Sequence, residues 1–337
     1  MRSTSIKDIA RMAKVSHSTV SRALRNSPLV NPKTAADIRR LAEQAGYRLS
    51  AAARSLVTQR SETIGVVVTT IADPFAAGVV EGIEEAANEH ALSVFLANSH
   101  ADPEREMRVV RTLEERRVDG IIVTASRVGA LYVPELERMQ VPIVLLNNQH
   151  PGEFAHSVMI ANREASLELA RHLIGLGHRR IAYLGDRLGR ESDAERFAGF
   201  SEAMRAAGLR VEKQLVVYGD GRPERGHAAM ARLLALRCPP TAVFCYNDMS
   251  ALGALRAARE AGRRVPAHVS VTGFDDLYLA QYTEPPLTTV RQPMRQMGRL
   301  AMETLIQLLA GDRTKRNIQV PGEVIIRGST AAPRREI

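Results

Sequence analysis

The sequence predicts an α/β protein with two parts: an N-terminal headpiece of three helices in a helix-turn-helix arrangement, and a body of two lobes built on doubly wound parallel sheets. Three observations lead to this prediction. The excess positive charge is confined to the N-terminal sixth of the chain, and three short helical patterns lie in that same segment. From Thr63 onward, strand-like apolar runs alternate with amphipathic helical stretches.

Charge is distributed unevenly along the 337 residues. Residues 1–60 contain 12 of the 46 Lys and Arg residues and 3 of the 37 Asp and Glu residues, a local net charge of +9 that equals the net charge of the whole chain. The rest of the chain is therefore neutral overall. A basic segment attached to a neutral body indicates nucleic acid or an acidic membrane surface as the partner of that segment.

The basic segment contains three helical patterns. The first helix is predicted over residues 7–13, where apolar residues recur at helical spacing. Ser16 is a favourable N-cap for the second helix. The third has Asn31 as its N-cap, Pro32 as its first residue and Gly46 as its stop. Three short helices with a tight turn between the first two form a helix-turn-helix unit.

The second helix presents small polar side chains on the face opposite its apolar stripe. They are His17, Ser18, Ser21 and Arg22. Short hydroxyls and an imidazole can approach base edges and phosphates, and an arginine can make two hydrogen bonds to guanine O6 and N7. An ordinary helical hairpin with small surface residues would show the same pattern without the local charge of +9. We therefore expect this face to bind DNA.

Residues 50–60, SAAARSLVTQR, predict a conditional helix. Ser50 can cap it, and the alanines that follow have high helix propensity. A helix this short is unstable alone in water, where ~12–15 residues are needed even in alanine-rich sequence. It is expected to order only against a partner, with Leu56 suited to entering a minor groove, and to be a flexible linker without DNA.

The body predicts two parallel sheets with helices on both faces. Continuous apolar strand runs that alternate with helical stretches are typical of such sheets. The runs are TIGVVVTTI, LSVFLANS, VDGIIVTAS, VPIVLLNN, RRIAYLGD, QLVVYGD, PTAVFCYND and VSVTGFDD. Eight strands are too many for one sheet of this kind. The division into two lobes is predicted near Ala161, after a short SVMI segment.

Polar side chains follow the predicted strands at their carboxyl ends, where open parallel sheets bind ligands. They include Asp73 after the first strand, Asn147 after the fourth, Asn247 after the seventh and Asp275 after the eighth, with Phe75 as the one visible aromatic residue. Such a set suits a polyhydroxylated ligand with an apolar face. The alternative is that these residues only cap the helices that follow.

Several classes of protein are not indicated. The sequence has no G-x-S-x-G, H-E-x-x-H or G-x-x-x-x-G-K-[ST] motif, and no metal site or cofactor is expected. Cys238 and Cys245 lack metal-site spacing and are expected to be small buried thiols. No secretory signal and no membrane-length apolar run is present, so a cytoplasmic location is expected. A sugar-binding transport protein and a sugar-processing enzyme remain the rival classes.

The motifs resemble those of the LacI/GalR family of bacterial transcription regulators along essentially the whole chain. The N-terminal matches are IKDIARMAKVSHSTVSRAL, NPKTAADIRRLAEQAGY and AARSL. The body continues the likeness with IGVVV, RVDGIIV, LGHRRIAYLGD, RFAGF, PTAVFCYND, VSVTGFDD and PPLTTVRQP. The resemblance implies a repressor that binds a pseudo-palindromic operator as a homodimer and is controlled by a sugar or sugar-like effector held between two lobes of a periplasmic-binding-protein-like body.

The resemblance also implies domain limits and site residues. Residues 1–49 are the DNA-binding headpiece, 50–60 the hinge and 61–337 the effector-binding and dimerisation domain. Within that domain, lobe 1 covers about 61–160 plus 291–318 and lobe 2 about 161–290 plus 319–330. The implied DNA-binding residues are Ser16, His17, Ser18, Thr19, Ser21, Arg22, Ala53 and Leu56. The implied effector-binding residues are Asp73, Phe75, Ser126, Asn147, Arg190, Ser192, Arg196, Asn247, Asp275 and Gln292.

Three features bear on the effector and the assembly. Gly221 stands where the lactose and purine repressors have an aromatic residue, which favours a sugar over a nucleobase. Arg190 beside Arg196 could instead favour a phosphorylated or carboxylated effector. The chain ends GSTAAPRREI without a leucine-rich tetramerising tail, so a dimer is expected.

Overall fold

The structure is a computed structural model that describes residues 4–24, 26–47, 60–126, 133–148, 156–187 and 191–334. It divides into two compact units, residues 1–62 and residues 63–337. The first unit is the headpiece and the second is the body. The boundary between the units lies close to the end of the basic segment, residues 1–60.

The headpiece is a small three-helix unit, as predicted. Its helices are α1 (Ile6–Met12), α2 (His17–Leu24) and α3 (Pro32–Gln44). Ser16 caps α2 by accepting the backbone N–H three residues on, Asn31 caps α3, and Gly46 adopts the left-handed conformation that stops it, with φ of +62°. The apolar faces meet in one core formed by Ile9, Ala10, Val20, Ala23, Ala35, Ile38 and Ala42.

The body alternates strands and helices. Its described helices are α4 (Pro74–Glu89), α5 (Pro103–Glu115), α6 (Val133–Arg138), α7 (Asn162–Gly175), α8 (Glu191–Ala206), α9 (Pro223–Leu234), α10 (Asp248–Glu260) and α11 (Met294–Leu309). Its described strands are β1 (Thr63–Val68), β2 (Ser93–Asn98), β3 (Gly120–Thr124), β4 (Ile143–Leu146), β5 (His156–Ile160), β6 (Ile181–Asp186), β7 (Val216–Gly219), β8 (Ala242–Cys245), β9 (Ser270–Thr272), β10 (Thr289–Arg291), β11 (Arg316–Val320) and β12 (Glu323–Ile325). Each predicted strand run of the body coincides with one of these strands.

Two parallel sheets define the two lobes. The sheet of lobe 1 has the order β11-β5-β4-β3-β1-β2, and the sheet of lobe 2 has the order β7-β6-β8-β9. Each sheet has an apolar cluster on both faces, which explains why its strands read as continuous apolar runs. A short antiparallel pair, β10 with β12, accompanies the crossovers between the lobes.

The chain crosses between the lobes three times: between Ile160 and Asn162, between Arg291 and Met294, and between Val320 and Glu323. The second part of lobe 1 was predicted to end at residue 318. The structure extends it to Val320, because β11 joins the edge of the lobe 1 sheet beside β5.

Close helix packing in lobe 1 depends on two glycines. A Cβ on Gly82 of α4 would lie 2.0 Å from the carbonyl oxygen of Arg295, and one on Gly298 of α11 would lie 2.1 Å from that of Val79. Both distances are far below van der Waals contact. Glycine at these two positions therefore allows the backbones of α4 and α11 to approach each other over the sheet.

The two cysteines differ in exposure. Cys245 is buried, as predicted, whereas Cys238 is exposed. The prediction of a buried thiol was therefore wrong for Cys238, which follows the end of α9 and precedes Pro239 in the surface loop before β8.

His178 connects the C-terminal segment to lobe 2 through hydrogen bonds. Its Nε2 lies 2.9 Å from the carbonyl oxygen of Ala331 and its Nδ1 lies 2.9 Å from the hydroxyl of Thr241. A carbonyl can only accept, so Nε2 carries the proton in the neutral ring. Burial lowers the pKa of His178 below its ordinary value, and the neighbouring His172 acts in the same direction.

Acidification should therefore weaken the body through His178. The pKa of His178 is lower in the folded chain than in the unfolded chain. The contribution of the neutral ring to the free energy of unfolding is therefore complete above pH ~6.5 and is lost as the pH falls through the pKa of the folded chain. Urea unfolding of the full chain at pH 7.5 and 5.5 should show a lower midpoint at pH 5.5. In the variant His178→Gln that difference should shrink, and an unchanged difference would contradict this assignment.

Candidate functional site

Three of the predicted DNA-binding residues are exposed on one surface of the headpiece. His17, Ser18 and Arg22 are exposed on α2, while Val20 and Ala23 on the opposite face are buried. Exposure of the polar side and burial of the apolar side follow from the 3.6-residue period of the helix. The α2 surface is therefore open to a ligand.

The start of α2 carries a hydroxyl cluster. The Oγ of Ser16 lies 2.7 Å from that of Ser18 and 2.8 Å from the Oγ1 of Thr19. Hydroxyls and free backbone N–H groups at a helix N-terminus suit a phosphate oxygen. Ala53 and Leu56 of the predicted hinge lie outside the described residues, so their roles stay predictions.

A second candidate site is a cavity between the two lobes of the body, which we call the interlobe cavity. Its volume is about 70 Å³. Its lining residues are Thr69, Asp73, Phe75, Ala125, Asn147, Ser192, Arg196, Tyr246, Asn247, Asp275 and Gln292. These residues follow the carboxyl ends of strands from both sheets, the position where open parallel sheets bind ligands.

The structure brings together most of the predicted effector-binding residues. Asp73, Phe75, Asn147, Ser192, Arg196, Asn247, Asp275 and Gln292 all line the cavity. Arg190 lies outside the described residues. Ser126 is not in the lining: it is fully buried, and its hydroxyl donates to Oε1 of Glu106. The preceding residue, Ala125, is left-handed with φ of +47° and faces the cavity in its place.

Arg196 is held rigidly in the cavity wall. Its Nε donates to Oδ1 of Asn162 at 2.8 Å, and its Nη1 donates to the carbonyl oxygen of Tyr246 at 2.7 Å. The guanidinium carbon lies 3.7 Å from the ring centroid of Phe274 and 4.7 Å from that of Tyr246. Stacking on aromatic rings and bonds along the edge fix the plane of the guanidinium.

Asp275 opposes Arg196 across the cavity. Its Oδ1 lies 3.9 Å from Nη1 of Arg196 and accepts a hydrogen bond of 2.6 Å from Nε2 of Gln292. Burial raises the pKa of the Asp275 carboxyl well above its ordinary value; the Arg196 guanidinium opposes this shift, and the carboxylate of Asp248 reinforces it. A ligand that donates hydrogen bonds to this carboxylate would replace water lost on burial.

Two of the lining residues also cap helices. Oδ1 of Asp73 accepts from the backbone N–H of Phe75 at the start of α4, and Oδ1 of Asn247 accepts from that of Ser250 in α10. The capping interpretation is therefore correct for these two residues, and the same side chains also line the interlobe cavity. The caps fix the side chains at the cavity edge.

The backbone around the cavity is locally strained. Asn147, Asp275 and Asp276 have positive φ of +49°, +129° and +55°. Non-glycine residues rarely adopt such angles, and they concentrate at ligand sites where the surrounding structure maintains them.

Sequence reasoning missed Tyr246 and Asn162. Tyr246 lies under Arg196, and its hydroxyl is 2.9 Å from that of Ser192. The PTAVFCYND run predicts a strand that includes Tyr246, although β8 ends one residue earlier at Cys245. Asn162 begins α7 and accepts from Arg196. No local motif distinguishes either residue.

Comparison with known proteins identifies the family of this chain. Residues 5–50 match the model for bacterial regulatory proteins of the lacI family, and residues 170–330 match that for a periplasmic binding protein-like domain. The transcriptional regulator GalS of Salmonella typhimurium is 38% identical to this chain over 309 residues, which are 91% of this chain and 90% of GalS. The chain belongs to the lacI family.

Solved structures of similar regulators extend the likeness to the fold. The lac repressor dimer, bound to operator and the anti-inducer ONPF, matches 98% of this chain and 100% of its own with a TM-score of 0.91 and 28% identity. The transcriptional regulator CelR in complex with cellobiose matches 97% of this chain and 99% of its own, with a TM-score of 0.74 and 31% identity.

Membership of the lacI family settles the class of protein. This chain is a DNA-binding transcriptional regulator and not an enzyme. Within the described residues, no His, Cys, Asp and Glu side chains cluster in a way that could hold a metal ion, and no helix has the length and apolar character needed to cross a membrane.

Proposed function

We propose that this lacI family member is a cytoplasmic repressor whose homodimer binds a pseudo-palindromic operator and responds to a small, neutral sugar or sugar derivative in the interlobe cavity. The observation that carries the proposal is the opposed pair Arg196 and Asp275, buried between two lobes of a chain that also carries a helix-turn-helix headpiece. The lac repressor supports the operator and the dimer, and CelR supports a sugar ligand.

The cavity chemistry favours a neutral, hydroxyl-rich ligand. Carboxylate, amide and guanidinium groups offer both acceptors and donors, which hydroxyl groups match in either role. The described lining contains two carboxylates, Asp73 and Asp275, and one cation, Arg196. A single guanidinium beside two carboxyl groups attracts a phosphate or carboxylate weakly, whereas hydroxyl groups can bond to all three, so these residues favour a neutral sugar over an anionic one.

Ligand entry couples naturally to lobe movement. A cavity of about 70 Å³ is smaller than the ~300–1,000 Å³ of ordinary ligand sites. We therefore expect sugar binding to be accompanied by separation or rotation of the lobes about the three crossovers. A ligand that binds one lobe arrangement more tightly than the other shifts the equilibrium toward that arrangement. The size of the shift is set by the difference between the two affinities.

Exposed apolar side chains support the homodimer. Phe95 is 55% exposed on β2, an edge strand of the lobe 1 sheet, and Tyr278 and Tyr282 are 71% and 65% exposed on lobe 2. Apolar residues on an open sheet edge and in a surface cluster mark an interaction surface. A second copy of the chain is the proposed occupant of both surfaces.

Selection of genomic DNA by the purified protein at physiological salt tests the proposal. We expect enrichment of one short palindrome, occupied by two chains as measured by light scattering, with binding changed by a neutral sugar and not by its phosphate ester. Weak and salt-sensitive binding alone, with and without a panel of sugars, would contradict it.

A further inference from the structure

Asn162 connects the first crossover between the lobes to a residue that lines the interlobe cavity. It is the first residue of α7, follows the crossover from β5, and is 3% exposed. A buried amide must be hydrogen-bonded at both ends to avoid a desolvation cost. The partners of this amide therefore indicate what it connects.

Glu195 fixes the orientation of the Asn162 amide. Nδ2 of Asn162 donates to Oε2 of Glu195 at 2.9 Å, which turns Oδ1 toward Nε of Arg196 at 2.8 Å. Glu195 and Arg196 are consecutive residues of α8. The amide thus forms a bridge from the first crossover to the cavity arginine.

The Nη1 atom of Arg196 connects to the second crossover through Asp275 and Gln292. Nη1 lies 3.9 Å from Oδ1 of Asp275, which accepts from Nε2 of Gln292, a residue between β10 and α11. Two of the three crossovers between the lobes are therefore connected through one buried ion pair that lines the cavity.

Arg196 has little freedom to move without Asn162. Aromatic rings cover its guanidinium, Nε and Nη1 are engaged, and Nη2 donates to none of the described residues. A ligand oxygen accepting from Nη2 would act on the guanidinium within its plane. Any displacement in that plane changes the bond between Nε and Oδ1 of Asn162.

We propose that Asn162 is a positioning residue that transmits occupancy of the interlobe cavity to the crossover between the lobes, and so to operator affinity. The inference rests on the proposed function. Asn162 does not touch the ligand; it acts through Arg196. Its removal should reduce the coupling between effector and operator more than it reduces operator binding itself.

The test compares Asn162→Leu with Arg163→Ala. Arg163 pairs with Glu202 at 2.7 Å, an exposed contact that joins the same two helices, α7 and α8, without reaching Arg196. The probe is whichever sugar of a panel of cellobiose, ribose and galactose changes the operator affinity of the unmodified protein most. The readout is the ratio of operator dissociation constants with and without that sugar, together with each variant's thermal midpoint.

The unmodified protein and Arg163→Ala should share one coupling ratio, in the range of about 5 to 150. Asn162→Leu should bring the ratio to within about threefold of 1 while its sugar-free operator affinity stays within about threefold of that of Arg163→Ala. A ratio equal to that of the unmodified protein would overturn the inference and leave the proposed function standing. Absence of any response in the unmodified protein would overturn both.

A double variant keeps the test valid if Asn162→Leu does not fold. In N162D/E195Q the donor and acceptor exchange places: the new amide donates to the new carboxylate, whose second oxygen still accepts from Arg196. The double variant should retain at least half of the coupling free energy, whereas the single variant N162D, with two facing carboxylates, should lose most of it. Equal coupling in the two would overturn the inference.

Discussion

Replacing Arg22 with alanine should abolish selective operator binding while leaving non-specific DNA binding nearly intact. Arg22 is exposed on the reading face of α2, where its guanidinium can bind a base edge. A two-bond contact of that kind contributes about 1–3 kcal/mol of discrimination per half-site. Two half-sites in a dimer give roughly a 30-fold to 10⁴-fold loss of operator affinity.

The matched control is Arg40→Ala, which removes one positive charge from the same headpiece. Arg40 is exposed on α3 and paired with Asp37 three residues earlier. Fluorescence anisotropy with operator and with scrambled DNA, at two salt concentrations, separates the two contributions. Equal losses on both DNAs for Arg22→Ala would contradict the assignment of Arg22 to base reading.

Replacing Asp275 with asparagine should leave operator binding unchanged and nearly eliminate the response to sugar. The exchange preserves shape but removes the charge opposite Arg196, so the ligand loses its charged acceptor and the arginine loses its counter-ion. Truncating one member of a desolvated charge pair costs about 2–5 kcal/mol of binding. Titration calorimetry should therefore show roughly 30-fold to several thousand-fold weaker sugar binding.

Ser126→Ala is the control for this prediction. Ser126 was expected in the effector site, but its hydroxyl bonds to Glu106 away from the cavity lining. Its removal should leave the sugar dissociation constant within about twofold of the original. A large loss of sugar affinity would contradict the placement of Ser126 outside the site.

The sequence predicted those parts of the fold that depend on local pattern. The caps at Ser16 and Asn31, the stop at Gly46 and the buried strand runs follow from side-chain chemistry within a few residues. The strand β11 was not predicted, because it lies at the sheet edge and alternates half-buried and exposed residues in a polar segment, with only Val320 buried. Edge strands bury one face at most and give a weaker apolar signal.

The residues of the candidate site that directly follow strand ends were predicted from the sequence. Those whose position depends on tertiary packing were not. Ser126 follows a strand end but bonds to Glu106, whereas the left-handed Ala125 lines the cavity, and no neighbouring residue indicates this. Tyr246 and Asn162 reach Arg196 from elements 50 and 34 residues away in sequence. Such contacts depend on how sheets and crossovers come together, and a single sequence does not record this.

In the proposed function, one chain couples a sugar cavity to an operator-binding surface. The most direct measurement is the full thermodynamic cycle: the operator dissociation constant with and without the sugar, and the sugar dissociation constant with and without operator. Linkage requires the two ratios to be equal, and the account predicts a common factor between about 5 and 150. A sugar that binds the cavity tightly while both ratios equal 1 would contradict the account.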